Sequence, residues 1–288
     1  MTKIYYKISD EDGVVRVDKF LAILHSEYSR AALAKLFTLN LIKLNGEPIQ
    51  PGHKLRPGTT FEYDLGPLQA KPEVIPLPII YEDDNVVVVD KPAGIISHAR
   101  GKFWQEASVA SFIRDRINGM DGERGGIVHR LDRATSGIMI CAKNEATLSF
   151  LQKQFSNRSV EKKYVAITSG TPKHEEAIID APIARDPLSP KRFMVQVDGK
   201  SAQTHYVVLK RNEAHSMLEL TPKTGRTHQL RVHLQYIHTP IVGDELYGVE
   251  PYERLLLHAR TLTIAIPVHG NKTFTSELPS VFNEFMKS

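Results

Sequence analysis

Asp132 stands in a stretch suited to a reactive carboxylate. Arg130 precedes it by two residues, Arg133 follows it, and Gly125, Gly126 and Gly137 bracket the segment. Nearby positive charge favours a carboxylate over a carboxylic acid, and the carboxylate is the form that a nucleophile or base needs. The apolar pair Ile127 and Val128 leads into the segment, and Ile138 to Ala142 lead out. Both read as short buried strands, with the Gly, Thr and Ser residues between them as the connecting loop. A loop held at both ends fixes where its side chains point. An Asp–Arg pair alone most often closes a surface turn, so chemistry at Asp132 requires partners from elsewhere. Two are candidates: Tyr164, on a strand predicted over 161–168, and Arg231, on a helix predicted over 227–236.

Other chemistries lack their residues. Twelve histidines invite a metal site, but His228 and His233 are five apart and fall on different helix faces, whereas a metal pair wants four. The single cysteine, Cys141, leaves no thiolate cluster. Neither a G-x-G-x-x-G nor a P-loop is present, so no nucleotide cofactor is expected. The reading is acid–base or covalent chemistry by one Asp, with no metal and no cofactor. A hydrolase acting through paired carboxylates would need a second acid, and the central motif holds no other Asp or Glu.

The 288 residues are 41% hydrophobic and 24% charged, an ordinary globular composition, long enough for two domains. A net charge of +4 fits a nucleic-acid partner. The lone cysteine predicts a reducing, cytoplasmic setting. Met1 to Asp10 carry no basic stretch followed by an apolar run, and no run reaches the roughly 18–20 apolar residues of a membrane span. Neither a secretory signal nor a membrane partner is expected.

Two domains are predicted, over 14–65 and 79–288. In the first, apolar spacing predicts a helix ending at Leu24 and capped by Asp18, then a helix over 30–37 with Ser29 as its N-cap and Asn40 in the left-handed turn that ends it. Residues 41–44 with Asn45-Gly46 predict a strand and hairpin turn, and 60–65 a closing strand. Pro67, Pro72, Pro76 and Pro78 mark 66–78 as a semi-rigid linker. Beyond it, many strands and few interspersed helices predict an α+β domain with a mixed, mainly antiparallel sheet and flanking helices. Between Arg16 and Arg56, seven Lys or Arg stand against three Asp or Glu. Such a run is most simply a solvated helix face.

Several motifs point further. G-G-x-x-H-R-L-D-R-x-T-S-G from Gly125 resembles the catalytic signature of the RluA-type pseudouridine synthases. The resemblance extends over 79–288, through V-V-x-K-P-A-G near Lys91, K-x-Y at Lys162–Tyr164, T-G-R-T-H-Q-L-R-V-H-L from Thr224, P-I-V-G-D-x-L-Y-G from Pro240 and L-L-L-H-A at Leu255–Ala259. The N-terminal segment is similar to the S4 RNA-binding module, in its R-x-D-K-F-L opening, its Ser29-Arg30 helix start and its L-N-G turn, with Asn40 where that family usually has Gly. Two departures weaken assignment to a subtype: Ala134 where many large-subunit members carry an acid, and Ile266 before Pro267 where the family often has His.

The family's enzymes break the uridine N1–C1′ bond, turn the base and rejoin it through C5. The resemblance implies that Asp132 is the essential carboxylate, either attacking the sugar carbon or removing a ribose proton, with Arg231 as its partner. Tyr164 matches the active-site tyrosine that stacks by the base, and accepts the C5 proton if cations (Arg231, or more weakly Lys162) lower its pKa. A uridine inside a helix must be flipped out to reach a buried Asp, and Arg130 matches the arginine that fills the vacated stack. Arg226 and His228 either hold substrate phosphates or simply pack. His129, Leu131, Thr135 and Ser136 read as loop scaffolding. The S4-like module makes RNA the expected partner, large-subunit rRNA favoured and tRNA the runner-up, with Arg16, Lys19, Arg30, Lys35 and Lys43 as candidate contacts. No protein partner is required and a monomer is expected. The rival reading is a non-catalytic RNA-binding assembly factor.

Overall fold

Local sequence signals set the elements of the N-terminal unit. In the computed structural model, which describes residues 3–70, 73–99, 106–120 and 124–287, Ser29 Oγ accepts the Ala32 N–H at 3.2 Å and starts the helix Arg30–Thr38. Asn40 ends that helix at φ 55°, and Asn45 and Gly46, both at positive φ, turn the hairpin between Ile42–Leu44 and Glu47–Pro48. The first helix, Val17–Leu24, corrects one expectation. Asp18 lies in its first turn and does not cap it; Arg16 is the N-cap residue and donates to both Asp18 oxygens at 3.0 Å. That guanidinium holds the Asp18 carboxyl below its usual range. Leu21, Leu33, Leu36, Ile42 and Phe61 fill a core between these helices and a four-stranded antiparallel sheet.

The described residues divide into two compact units, one through Glu73, to which Glu106 also belongs, and one holding 74–99 and the residues from 107 onward. Part of the expected linker belongs to the first unit's fold. Gly66–Gln69 form a helical turn with Pro67 in its first positions, and Leu68 is buried in the first core.

The second unit is built on a nine-stranded sheet of described residues. Its order is Glu176–Asp180, Gln203–Arg211, His215–Pro222, Glu161–Ser169, Leu257–Ile266, Ser136–Ala142, Val86–Lys91 and Ile79–Glu82, with Gly270–Thr275 also paired to Leu257–Ile266. Every pairing is antiparallel except that of Leu257–Ile266 with Ser136–Ala142. Val86–Val89 and Ser136–Ala142 are buried on both faces, which explains their near-continuous apolar runs. The helix Glu145–Ser156, capped by Asn144, buries Leu151 against Val86, Val88 and Ile140. The helix Gln229–Tyr236 buries Leu230 and Leu234 against Ala166, Tyr206, Leu218 and Leu220.

The strand expected at Ile127–Val128 is only a single bridge, Ile127 to Cys141. On the exit side of the Asp132 loop, Gly137 enters the parallel pairing opposite Ala259. Gly137 has φ +113°, and a Cβ built on it would collide with the Ala259 backbone oxygen. One residue earlier, Ser136 Oγ accepts from Arg254 Nη2 at 2.6 Å and lies 2.9 Å from His258 Nδ1. A Gly137→Ala variant is expected to lose about 1–3 kcal/mol of stability from the strained backbone, with further loss from the collision. Urea unfolding checks this, and an unchanged midpoint would refute it.

Candidate active site

The Asp132 loop rests on a buried lysine. Lys91 is fully buried at the end of its strand and donates to the carbonyls of Pro92 (2.9 Å), Ile95 (2.8 Å) and Arg133 (3.3 Å). Burial lowers the Lys91 pKa to about 7, against the opposing pull of Asp132. Ser97 Oγ donates to the Leu131 carbonyl at 2.7 Å and accepts the Leu131 N–H at 3.1 Å. Gly94 N–H donates to the Arg133 carbonyl at 2.8 Å. The segment from Lys91 to Ser97 thus grips the backbone on both sides of Asp132. Sequence reading quoted Lys91 within a motif but gave it no role.

Asp132 takes two ion pairs from the 224–231 segment. Arg231 Nη1 lies 3.7 Å and His228 Nε2 3.9 Å from the same oxygen, Oδ2. Arg231 reaches this position because Asp244 holds it from behind, accepting Nε–H at 2.7 Å and Nη2–H at 2.6 Å. The Asp244 side chain is wholly buried, and its Oδ1 also accepts the N–H groups of Leu246 and Tyr247. Charge-assisted bonds of this bidentate kind fix the guanidinium plane, and Asp244 raises the Arg231 pKa against the opposing effect of burial. The Arg231 guanidinium also sits over the Tyr247 ring, 5.0 Å from its centroid. Neither Asp244 nor Tyr247 was anticipated. Their signal was the P-I-V-G-D-x-L-Y-G motif, recognised there only as a family match.

The helix that carries Arg231 begins two residues later than spacing predicts. His228 occupies the left-handed region at φ 57° and precedes Gln229–Tyr236. No side chain caps this helix; Gln229 Oε1 instead ties down the loop before it, accepting from Thr224 Oγ1 (2.6 Å) and Arg226 N–H (3.0 Å). The Arg226 side chain donates to the Ser201 carbonyl at 3.0 Å. His129 is scaffold, as read: its Nε2 accepts the Ile140 N–H at 3.1 Å and its ring stacks on Phe155. Burial, with Lys162 adding, lowers its pKa to about 3.

Tyr164 also departs from expectation. It is packed between two core clusters, and burial, with the Asp132 charge adding, pushes its hydroxyl up rather than down. No cation lowers it, and burial lowers the Lys162 pKa as well. A phenol held protonated offers a ring face and an O–H donor.

Asp132, Tyr164 and Arg231 line one cavity of about 470 Å³, with Arg130, Arg226 and His228. Arg130 is exposed. Arg158, Lys162 and Lys223 join the lining, so six Lys or Arg side chains face a single carboxylate. Arg16, Lys19, Arg30, Lys35 and Lys43 belong to the first unit; the first four are exposed and Lys43 is half-buried. Among the described residues, no group of three or more His, Cys, Asp and Glu is placed to hold a metal ion, and no helix is long and apolar enough to cross a membrane.

The sequence model of the RNA pseudouridylate synthase family matches residues 85–236, the span that supplies Lys91, Asp132, Tyr164, His228 and Arg231. The chain belongs to that family, in its RluA-type branch. It is 41% identical over 252 residues to an uncharacterized RNA pseudouridine synthase of Aquifex aeolicus, covering 84% of this chain and 79% of the relative. It is 43% identical over 229 residues to the ribosomal large subunit pseudouridine synthase D of Borreliella burgdorferi, covering 76% and 70%. The solved structure of human RNA pseudouridylate synthase domain containing 4 superposes with a TM-score of 0.58 at 27% identity, covering 72% of this chain and 90% of that one. The protein is thus an RNA pseudouridine synthase, an isomerase that acts on RNA.

In this pseudouridine synthase, Asp244→Ala would leave the buried Arg231 without its counter-charge. It is expected to cost about 3–5 kcal/mol of stability and to lower kcat more than KM. Urea unfolding and steady-state turnover check both, and wild-type values for either would contradict the clamp.

Proposed function

We propose that this enzyme isomerises specific uridines of large-subunit rRNA, with Asp132 as the reacting carboxylate. The observation that carries the reading is the cavity itself: one carboxylate, backed by a clamped arginine, in a lining otherwise rich in Lys and Arg. Cations so placed suit a polyanionic backbone. The names of the Borreliella relative and of a Xanthomonas campestris relative, 36% identical over 282 residues, favour the large-subunit target; tRNA is the second reading.

Within that reading, the target uridine flips out of its stack and its ribose meets Asp132. Arg231 stabilises the carboxylate for attack on C1′ or removal of a ribose proton. Tyr164 supports the base with its ring. The exposed setting of Arg130 at the cavity suits it to fill the gap left in the RNA. The N-terminal unit holds an S4-like module that includes residues 14–65, and the catalytic domain spans 79–288. Its exposed Arg16, Lys19, Arg30 and Lys35, with Lys43, supply phosphate contacts, and Arg226 adds one at the cavity. The enzyme works in the cytoplasm as a monomer without a protein partner.

Rejoining the base through C5 releases the C5 hydrogen. RNA tritiated at uridine C5 should therefore release label with wild-type protein and not with Asp132→Ala, and large-subunit rRNA should outpace bulk tRNA. Release from tRNA alone would overturn the substrate assignment. Equal release by the variant would overturn the role of Asp132.

A further inference from the structure

We propose that His228 is a positioning residue for Asp132: a neutral imidazole that presents its Nε2–H to one carboxylate oxygen and leaves the other for the ribose. The inference rests on Asp132 being the reacting group. Its geometric basis is asymmetry at the carboxylate. The nearest approaches of His228 Nε2 (3.9 Å) and Arg231 Nη1 (3.7 Å) are both to Oδ2; both exceed hydrogen-bond length, and among the described residues no hydrogen bond reaches either oxygen.

The tautomer follows from a chain of hydrogen bonds. Backbone N–H groups only donate, so the Phe193 N–H, 2.8 Å from the Tyr247 hydroxyl, uses one of that oxygen's lone pairs. Tyr247 is buried, and among the described residues its hydroxyl has one further hydrogen-bond partner, His228 Nδ1 at 2.8 Å. Were Nδ1 the donor, the Tyr247 proton would be left buried without an acceptor, a costly arrangement. The hydroxyl therefore donates to Nδ1, and the neutral imidazole carries its proton on Nε2, toward Asp132. Two other observations agree. Burial holds the Tyr247 hydroxyl protonated by raising its pKa, and burial lowers the His228 pKa, favouring the neutral ring against the opposing charges of Asp132 and Asp244. The ring is fixed edge-on to both Phe193 and Tyr247, with centroids 5.6 Å apart in each case.

The relay also gives the hairpin Ile183–Arg185/Phe193–Val195 a place in the chemistry. Its Phe193 N–H sets Tyr247, Tyr247 sets His228, and His228 sets the free oxygen of Asp132. Arg231 stacks on the same tyrosine, so both donors to Asp132 are referenced to one side chain.

The test uses the full-length protein. Nitrogen-15 NMR of histidine-labelled wild type should show His228 protonated at Nε2 only, and Tyr247→Phe should lose that single tautomer. In turnover, His228→Gln places an amide N–H where Nε2 stood and should keep most of the wild-type kcat. His228→Ala and His228→Asn, whose amide reaches only the Nδ1 position, should lower kcat by about 10- to 100-fold, with KM changed far less. Circular dichroism establishes that the variants fold. A wild-type His228 protonated at Nδ1, or a Gln variant as slow as the Ala variant, would overturn the inference. If wild type itself released no C5 tritium from RNA, the functional reading would fail, and the tautomer measurement would still decide the geometry.

Discussion

Arg231 is shared between two carboxylates, and the catalytic unit is arranged so that the sharing is unequal. Asp244, wholly buried, takes two charge-assisted bonds. Asp132, partly open to the cavity, is left with an ion pair at 3.7 Å. The inequality is useful. A carboxylate fully bonded to arginine would be a poor reactant, whereas one held near a fixed positive charge is oriented and still available. Removing Asp244 would free the guanidinium to collapse onto Asp132 or to leave it, and either outcome removes the arrangement.

The sheet exists around that arrangement in a direct sense. Ser97, bonded to Leu131, and Lys91, bonded to the Arg133 carbonyl, hold the backbone on the two sides of Asp132. The parallel pairing of Ser136 and Gly137 with His258 and Ala259 sets the loop's exit. Tyr164 pairs with Ala259 across the neighbouring ladder, which brings the tyrosine beside the loop. The helix carrying Arg231 packs Leu230 and Leu234 onto the same sheet. Each functional side chain is therefore placed by a buried apolar contact or a backbone ladder, and the polar clamp makes the final adjustment.

What could be read from the sequence is what local chemistry determines. The helix read over 30–37, its Ser29 cap and the Asn45-Gly46 hairpin follow from residue type and spacing alone. Asp132, Tyr164 and Arg231 were singled out, and the structure gathers all three at one cavity. What escaped depends on contacts between distant segments. Asp244 is thirteen residues from Arg231 and shares no local pattern with it. The carbonyl cage of Lys91 is built from two loops distant in sequence, at Pro92 to Ile95 and at Arg133. Asp18 was misread as a cap because Arg16 competes for its oxygens. Tyr164 was expected to be acidified because cations are visible in a sequence while burial is not; here burial wins.

The most direct measurement is a crystal structure of the Asp132→Asn variant bound to the RNA that the wild type modifies. The account predicts a flipped uridine in the cavity, its ribose against the residue 132 oxygen that Arg231 and His228 do not face, and its base against Tyr164. A uridine still stacked in the RNA, or a ribose placed beside some other side chain with residue 132 facing only Arg231, would contradict it.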